Sequence, residues 1–267
     1  MGFRGIIAIW LSASLASISP TATPPAWEKT VTSLPRGDFP DPRPFVATYN
    51  FGWNDLVAAT ADVQFDKSPT RLQFQGVGQT VGVARALWKF DVRHRAVTDA
   101  ITLRPIEMSQ VEERSRKTVT DDLVFTADGV ERTRIDTKTN KRSELKTFTF
   151  PGGVFDMHSA LLYLRSQPLR ESDVYRLVVY PATSPYLATL TVSGHPSITI
   201  GAGTYKAIKL DVQLYKIGKN GELEPHKKFR RASVWVSDDA DRLLLRVEAG
   251  IFIGTVFAEL QSVRFRL

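Results

Sequence analysis

From Phe45 onward the sequence repeats with a period of two. Phe45, Ala47, Tyr49, Phe51 and Trp53 alternate with Val46, Thr48, Asn50 and Gly52. Val57, Ala59, Ala61, Val63 and Phe65 resume the pattern after a turn at Asn54 and Asp55. Successive side chains of a strand point to opposite faces, so alternation sets one face on a core and the other toward solvent. That is the pattern of antiparallel strands. Further segments of this kind are 70–76, 88–97, 101–114, 117–127, 129–136, 145–150, 174–181, 186–193, 197–200, 204–216, 228–237, 243–249 and 252–265. Turn residues separate them, at Asp128 and Gly129, Gly194 to Pro196, Gly201 to Gly203, and Ser237 to Asp239. Asn220 and Gly221 form the strongest hairpin signal, because both tolerate positive φ.

Only two segments read as helical. Segment 81–88 spaces Val81, Ala84, Leu87 and Trp88 at helical intervals. Segment 156–166 is better defined: Asp156 caps its first turn, Ala160, Leu161 and Leu164 make a stripe, and Gln167 with Pro168 ends it. Two short helices among so many strands predict a mostly β fold, a single domain at 45–267 built from a curved antiparallel sheet. Composition is ordinary for a globular chain, at 43% hydrophobic and 24% charged, so disorder and fibrous architectures are excluded. With no cysteine, the chain has no disulfide, thiolate metal site or cysteine nucleophile, and no lipid can be attached through cysteine.

The N-terminus reads as an address. Arg4, the apolar run IIAIWLSASL at 6–15 and small residues at Ala16, Ser17, Ser19 and Ala22 make the three parts of a secretory signal peptide over 1–22. The apolar run is shorter than the about 20 residues that span a bilayer. Seven prolines between Pro20 and Pro44 make 23–44 an extended leader or a spacer. The expected location is the periplasm or the exterior, and a transmembrane span in the mature chain is not expected. Export also argues against nucleic acid as a partner.

Candidate chemistry is sparse. Asp156, His158 and Ser159 fall together at a helix start, but neighbours on one turn rarely form a triad, and no GxSxG surrounds Ser159. Capping by Asp156 accounts for them. The acidic run Asp238, Asp239, Asp241 lacks calcium-loop spacing and suits a turn. Gly76, Gly78 and Gly82 do not match a phosphate loop and suit a bulge or a bend. No catalytic, cofactor-binding or metal-ligating residue is assigned, no cofactor is expected, and the chain is read as a non-enzyme.

Charge is uneven. Segment 205–236 holds eight Lys or Arg and three Asp or Glu, +5 of the chain's +7. Lys227, Lys228, Arg230 and Arg231 form the candidate patch for an anionic ligand such as lipid, lipopolysaccharide or glycan. Trp88, His158, Tyr163 and Trp235 are the candidate lining of a sugar or acyl-chain pocket. The expected function is binding of an amphipathic or anionic envelope molecule. The alternative is a structural or assembly factor that meets another envelope protein through a sheet edge.

Five segments then resemble an exported bacterial family, domain of unknown function 3108. They are 156–165 (DMHSALLYLR), 203–209 (GTYKAIK), 235–239 (WVSDD) with 242–248, 254–260 (GTVFAEL), and the opening hairpin 49–61. Leu244 and Leu245 depart from it where the family often carries a proline. The resemblance covers about 45–265. It implies a half-barrel sheet with a helix in or across its concave face, and it brings no established functional residues.

Overall fold

The structure is a computed structural model that describes residues 24–266, except 34, 55, 138–140, 143, 144, 227–230 and 253 and the side chains of 141 and 142. The expected signal peptide, at 1–22, lies outside the described residues.

Among the described residues, seventeen strands form one open antiparallel sheet that does not close into a barrel. In chain order they are β1 (Phe45–Trp53), β2 (Leu56–Lys67), β3 (Arg71–Thr80), β4 (Phe90–Asp99), β5 (Pro105–Arg114), β6 (Lys117–Thr126), β7 (Gly129–Asp136), β8 (Lys141–Arg142) and β9 (Lys146–Thr149). There follow β10 (Val174–Val179), β11 (Tyr186–Gly194), β12 (Ser197–Ile200), β13 (Gly203–Ile217), β14 (Leu223–Pro225), β15 (Arg231–Ser237), β16 (Leu244–Gly250) and β17 (Thr255–Phe265). Two helices interrupt them, α1 (Gly82–Leu87) and α2 (Met157–Ser166).

The first and last strands meet in the middle of the sheet, with Phe45 opposite Phe265 on one side and Phe65 on the other. From β1 the chain meanders outward through β2 to β7, and β8 and β9 both pair with β7 at that edge. From β17 the order runs through β16, β15, β13 and β11 to the other edge, β10. Strands β12 and β14 are short arms folded against β13.

Alternation sets the faces. Phe45, Phe65, Phe74 and Ala96 are cross-strand partners and all buried on the concave side. Helix α2 occupies that concavity between the two halves of the sheet. Phe155, Ala160, Tyr163 and Leu164, in and beside it, pack on Tyr175, Leu177, Leu190 and Leu210 of β10 to β13. Leu162 packs toward Phe45, Tyr49 and Phe74 on the other half.

The proline-rich leader lies on this assembly rather than away from it. Gly37 donates to Ser166 Oγ (3.0 Å), Phe39 to Ser166 O (3.1 Å), and Arg43 makes a paired ionic contact with Asp241 (2.6 Å). A Cβ on Gly37 would collide with the Ser166 carbonyl, so only glycine permits this approach. Arg242 lies under the Phe39 ring at 3.5 Å.

Two local expectations differ. The strand expected from 101 begins at Pro105, because Asp99 Oδ1 accepts the N–H groups of Ile101 and Thr102 and ends the preceding strand in a turn. Leu103 takes φ 57° within that turn. Gly76 and Gly78 form no bulge: β3 keeps register with both neighbours, and Gly78 admits Val92 and Ala61 closely. The bend comes at Gly82, with φ 55°.

Candidate functional site: a cleft at the seam of the sheet

The four residues expected to line a pocket do not come together. Trp88 is exposed and stacks on Phe90 (5.0 Å). Tyr163 is buried against Phe155 (5.2 Å). Trp235 is half-buried beneath Lys209 (5.5 Å). His158 turns the other way from Tyr163, stacking on Phe74 and meeting the His94 ring, each at 4.7 Å. The space between α2 and the sheet near His158 is an apolar cavity of about 80 Å³, lined by Phe45, Tyr49, Phe74 and Leu162 among others. That volume suits a few water molecules and not a lipid or sugar.

The start of α2 is a capping box. Asp156 Oδ1 accepts from the N–H groups of His158 (2.6 Å) and Ser159 (3.1 Å), and Ser159 Oγ accepts from the Asp156 N–H (3.0 Å). The Ser159 hydroxyl also contacts the Asp156 carbonyl (3.2 Å), so it is held within the cap. Burial pushes the Asp156 carboxyl above the usual carboxylate range. It pushes His158 down to about 4, and burial with the nearby His158 does the same to His94. His94 Nε2 and Asp156 Oδ2 are buried without a hydrogen-bond partner.

The acidic run is spent on structure. Asp239 Oδ1 accepts from Ser237 Oγ (2.8 Å) and the N–H groups of Asp241 (2.9 Å) and Arg242 (3.0 Å). Asp241 holds Arg43, and Asp238 meets His195 Nδ1 at 3.1 Å. Among the described residues no group of three or more His, Asp or Glu is placed to hold a metal ion. Of the candidate basic patch, Lys227, Lys228 and Arg230 lie outside the described residues; Arg231 begins β15 and is exposed.

The larger space lies where the sheet fails to close. The β10 edge is covered: Thr32 N–H bonds Arg176 O (2.8 Å), Phe155 N–H bonds Val178 O (2.9 Å), and Tyr180 N–H bonds Phe155 O (2.7 Å). Among the described residues no strand pairing joins β10 to β7 or β9, and side chains bridge the gap. Phe148 meets Tyr180 at 6.2 Å, and the Arg132 guanidinium lies near enough to the Tyr180 hydroxyl to act on its ionisation. Arg132 is in turn paired with buried Asp121 (2.6 Å), which Arg134 also approaches (3.2 Å). Trp27 crosses the gap above them, stacking on Phe150 (5.7 Å) and donating Nε1–H to Gly221 O (2.7 Å).

A cleft of about 1080 Å³ opens at this seam. Trp27, Phe148, Phe150 and Tyr180 form its aromatic wall, and the turns at 183–185 and 216–222 form the opposite side. Lys146, Lys216 and Lys219 stand on its rim with Glu28, Glu222 and Glu224, and none of the six is ion-paired among the described residues. Such a site offers stacking and apolar contact below charged groups of both signs. Sequence reasoning missed it. Its signals were Trp27 within the proline-rich segment and the alternation of Phe148 with Phe150, but nothing local reveals that these meet Tyr180 and Gly221.

Residues 46–261 match the model of a family described as "Protein of unknown function (DUF3108)". No curated protein matches the chain. Among solved structures, a β-barrel-like protein of domain of unknown function DUF1849 from Brucella abortus is similar with a TM-score of 0.56 and 9% identity, over 85% of this chain and 99% of that one. That likeness concerns the fold. A Bacteroides fragilis protein, provisionally described as exported with a YmcC-like fold, aligns at TM-score 0.33 and 10% identity over 86% and 99%. A provisional lipoprotein from Parabacteroides distasonis aligns at 0.32 and 8% over 86% and 100%.

Proposed function

Because the chain belongs to the DUF3108 family of proteins of unknown function, we propose its role from its own geometry: it is an exported, non-enzymatic protein that holds an amphipathic envelope molecule, a lipid or a glycan, in the seam cleft. One observation carries this reading. The cleft measures about 1080 Å³, against about 80 Å³ beneath α2. Its aromatic wall suits an acyl chain or a sugar face, and the lysines of its rim suit phosphate or carboxylate. The export signal read at 1–22 supports the periplasm or the exterior as the place of action. The capping role of Asp156 and Ser159 supports the absence of catalysis there.

Native mass spectrometry of the gently purified protein tests the proposal. Retained or titrated lipid or glycan is expected, with binding weakened by Trp27→Ala. A protein that stays empty through titration with both classes refutes it.

A second reading has its own support. Phe150 N–H bonds Asp128 O, so in the alternation of an antiparallel pair the polar groups of Thr147 and Thr149 point away from β7. They have no backbone partner among the described residues and border the cleft. An added strand from an envelope protein would pair there. Crosslinking in cells from position 147 distinguishes the two: a protein adduct favours strand addition.

A further inference from the structure

We infer that the end of the sheet carrying α1 and the β1–β2 and β16–β17 turns docks on an anionic lipid surface. This goes beyond the cleft, since none of the apolar residues concerned lines it. Trp53 (42%), Leu56, Val83, Leu87 (84%), Trp88 (52%) and Phe252 (87%) are all exposed there. They come from three adjacent connections. Asn54 N–H bonds Thr255 O (2.7 Å) and Thr255 N–H bonds Asn54 Oδ1 (3.0 Å), which ties the two turns together. Val81 N–H bonds Ala58 O (2.9 Å), which ties the start of α1 to β2.

Helix α1 sets Val83 and Leu87 one turn apart on a single face. A helix of six residues gains its stability from packing, yet this apolar face is turned outward. Isolated exposed apolar side chains are ordinary on soluble proteins. Their concentration on neighbouring tips at one end marks an interaction surface.

Charge indicates what that surface meets. Lys89, Arg116 and Arg231 are exposed at the same end and form no ion pair among the described residues. The ladder places them there: Phe90 lies opposite Arg114, and Arg231 opposite Gly250. Three carboxylates near those cations are already taken among the described residues. Asp91 is held by Arg85 (2.7 Å), Glu112 by Arg114 (2.8 Å), and Asp136 by Lys117. Apolar tips framed by uncompensated cations match the boundary between acyl chains and anionic head groups, where tryptophan also partitions. The side chains stand on turns and a short helix rather than lining a groove. That shape enters a deformable surface more readily than it receives a rigid protein.

Vesicle binding by the purified protein, as processed by the cell, tests this. The probes are vesicles of phosphatidylglycerol with phosphatidylcholine, and of phosphatidylcholine alone. The protein is expected to sediment with the mixed vesicles, more weakly with phosphatidylcholine alone and at high salt. Brominated acyl chains should quench its tryptophan emission, and Trp53→Phe with Trp88→Phe should remove that quenching. Leu87→Ser with Phe252→Ser should lower partitioning about tenfold or more without changing the melting transition, because neither side chain is packed. No binding to either vesicle overturns the inference, as does equal partitioning of this double variant and the parent. A concentration-dependent dimer dissolved by the same variant also overturns it, by making the patch a face for self-association.

Discussion

The two ends of the concavity are closed in different ways. Under α2, closure is by apolar burial: Leu162, Tyr163 and Leu164 all reach the interior, and the space left is about 80 Å³. At the seam, closure is by a few side chains that reach across from opposite edges: Tyr180 to Arg132 and Phe148, and Trp27 to Phe150 and Gly221. Dense packing resists any change of shape, whereas isolated polar and ring contacts can be exchanged for those of a ligand. The difference places rigidity at the helix and adaptability at the cleft, although one continuous sheet supplies both.

The largest effects should therefore fall under the helix. Leu162→Ala removes a fully buried side chain facing Phe45 and Tyr49, and should cost about 2–5 kcal/mol in urea unfolding. Trp27→Ala, at the partly exposed seam, should cost about 1 kcal/mol while changing ligand retention most. Equal losses of stability would break the contrast. Asp156→Ala comes between them, at about 1–2 kcal/mol, because it removes the acceptor of two α2 N–H groups.

Acid should also act on the helix end. His94 and His158 titrate near 4 when folded, below the ordinary value of 6.5. The unfolded chain thus binds more protons between those values, so stability is full above about pH 6.5 and falls as pH drops toward 4. Asp156 works in the opposite sense, since its raised folded value favours the protonated native form as pH falls. Two histidines outnumber it, and the melting temperature should decline from pH 7 to pH 4.5. His158→Phe keeps the stack on Phe74 and should flatten that decline. An unchanged slope would mean that the α2 contact is not the acid-sensitive one.

The same contrast separates what was legible in the sequence from what was not. Strand positions were legible, because alternation is a local consequence of burying one face. The cap was legible, because Asp156 and Ser159 lie three residues apart. Strands β8 and β14, of two and three residues, are too short to show a period. The seam was hidden for a different reason. Alternation tells which face of a strand is buried but not where a sheet ends, and Trp27 with Gly221, or Arg132 with Tyr180, are brought together only by the full topology. Trp88 was read as pocket lining because it is aromatic, and residue type does not reveal which way a side chain faces; it is exposed.

The smallest expected effect concerns the convex face, and it sharpens the contrast by exclusion. Arg93 pairs with Glu113 (2.5 Å) across β4 and β5, and Arg95 with Glu107 (2.5 Å) one step along. All four side chains are well exposed, so water screens each pair and holding the long side chains in place offsets the attraction. Arg93→Ala should change stability by less than about 1 kcal/mol in urea unfolding, and a double-mutant cycle with Glu113→Ala should return a coupling of about 0.5 kcal/mol or less. A coupling as large as the loss from Leu162→Ala would show that the sheet is held from its outer face as well. In that event the helix could not be the element that sets its rigidity.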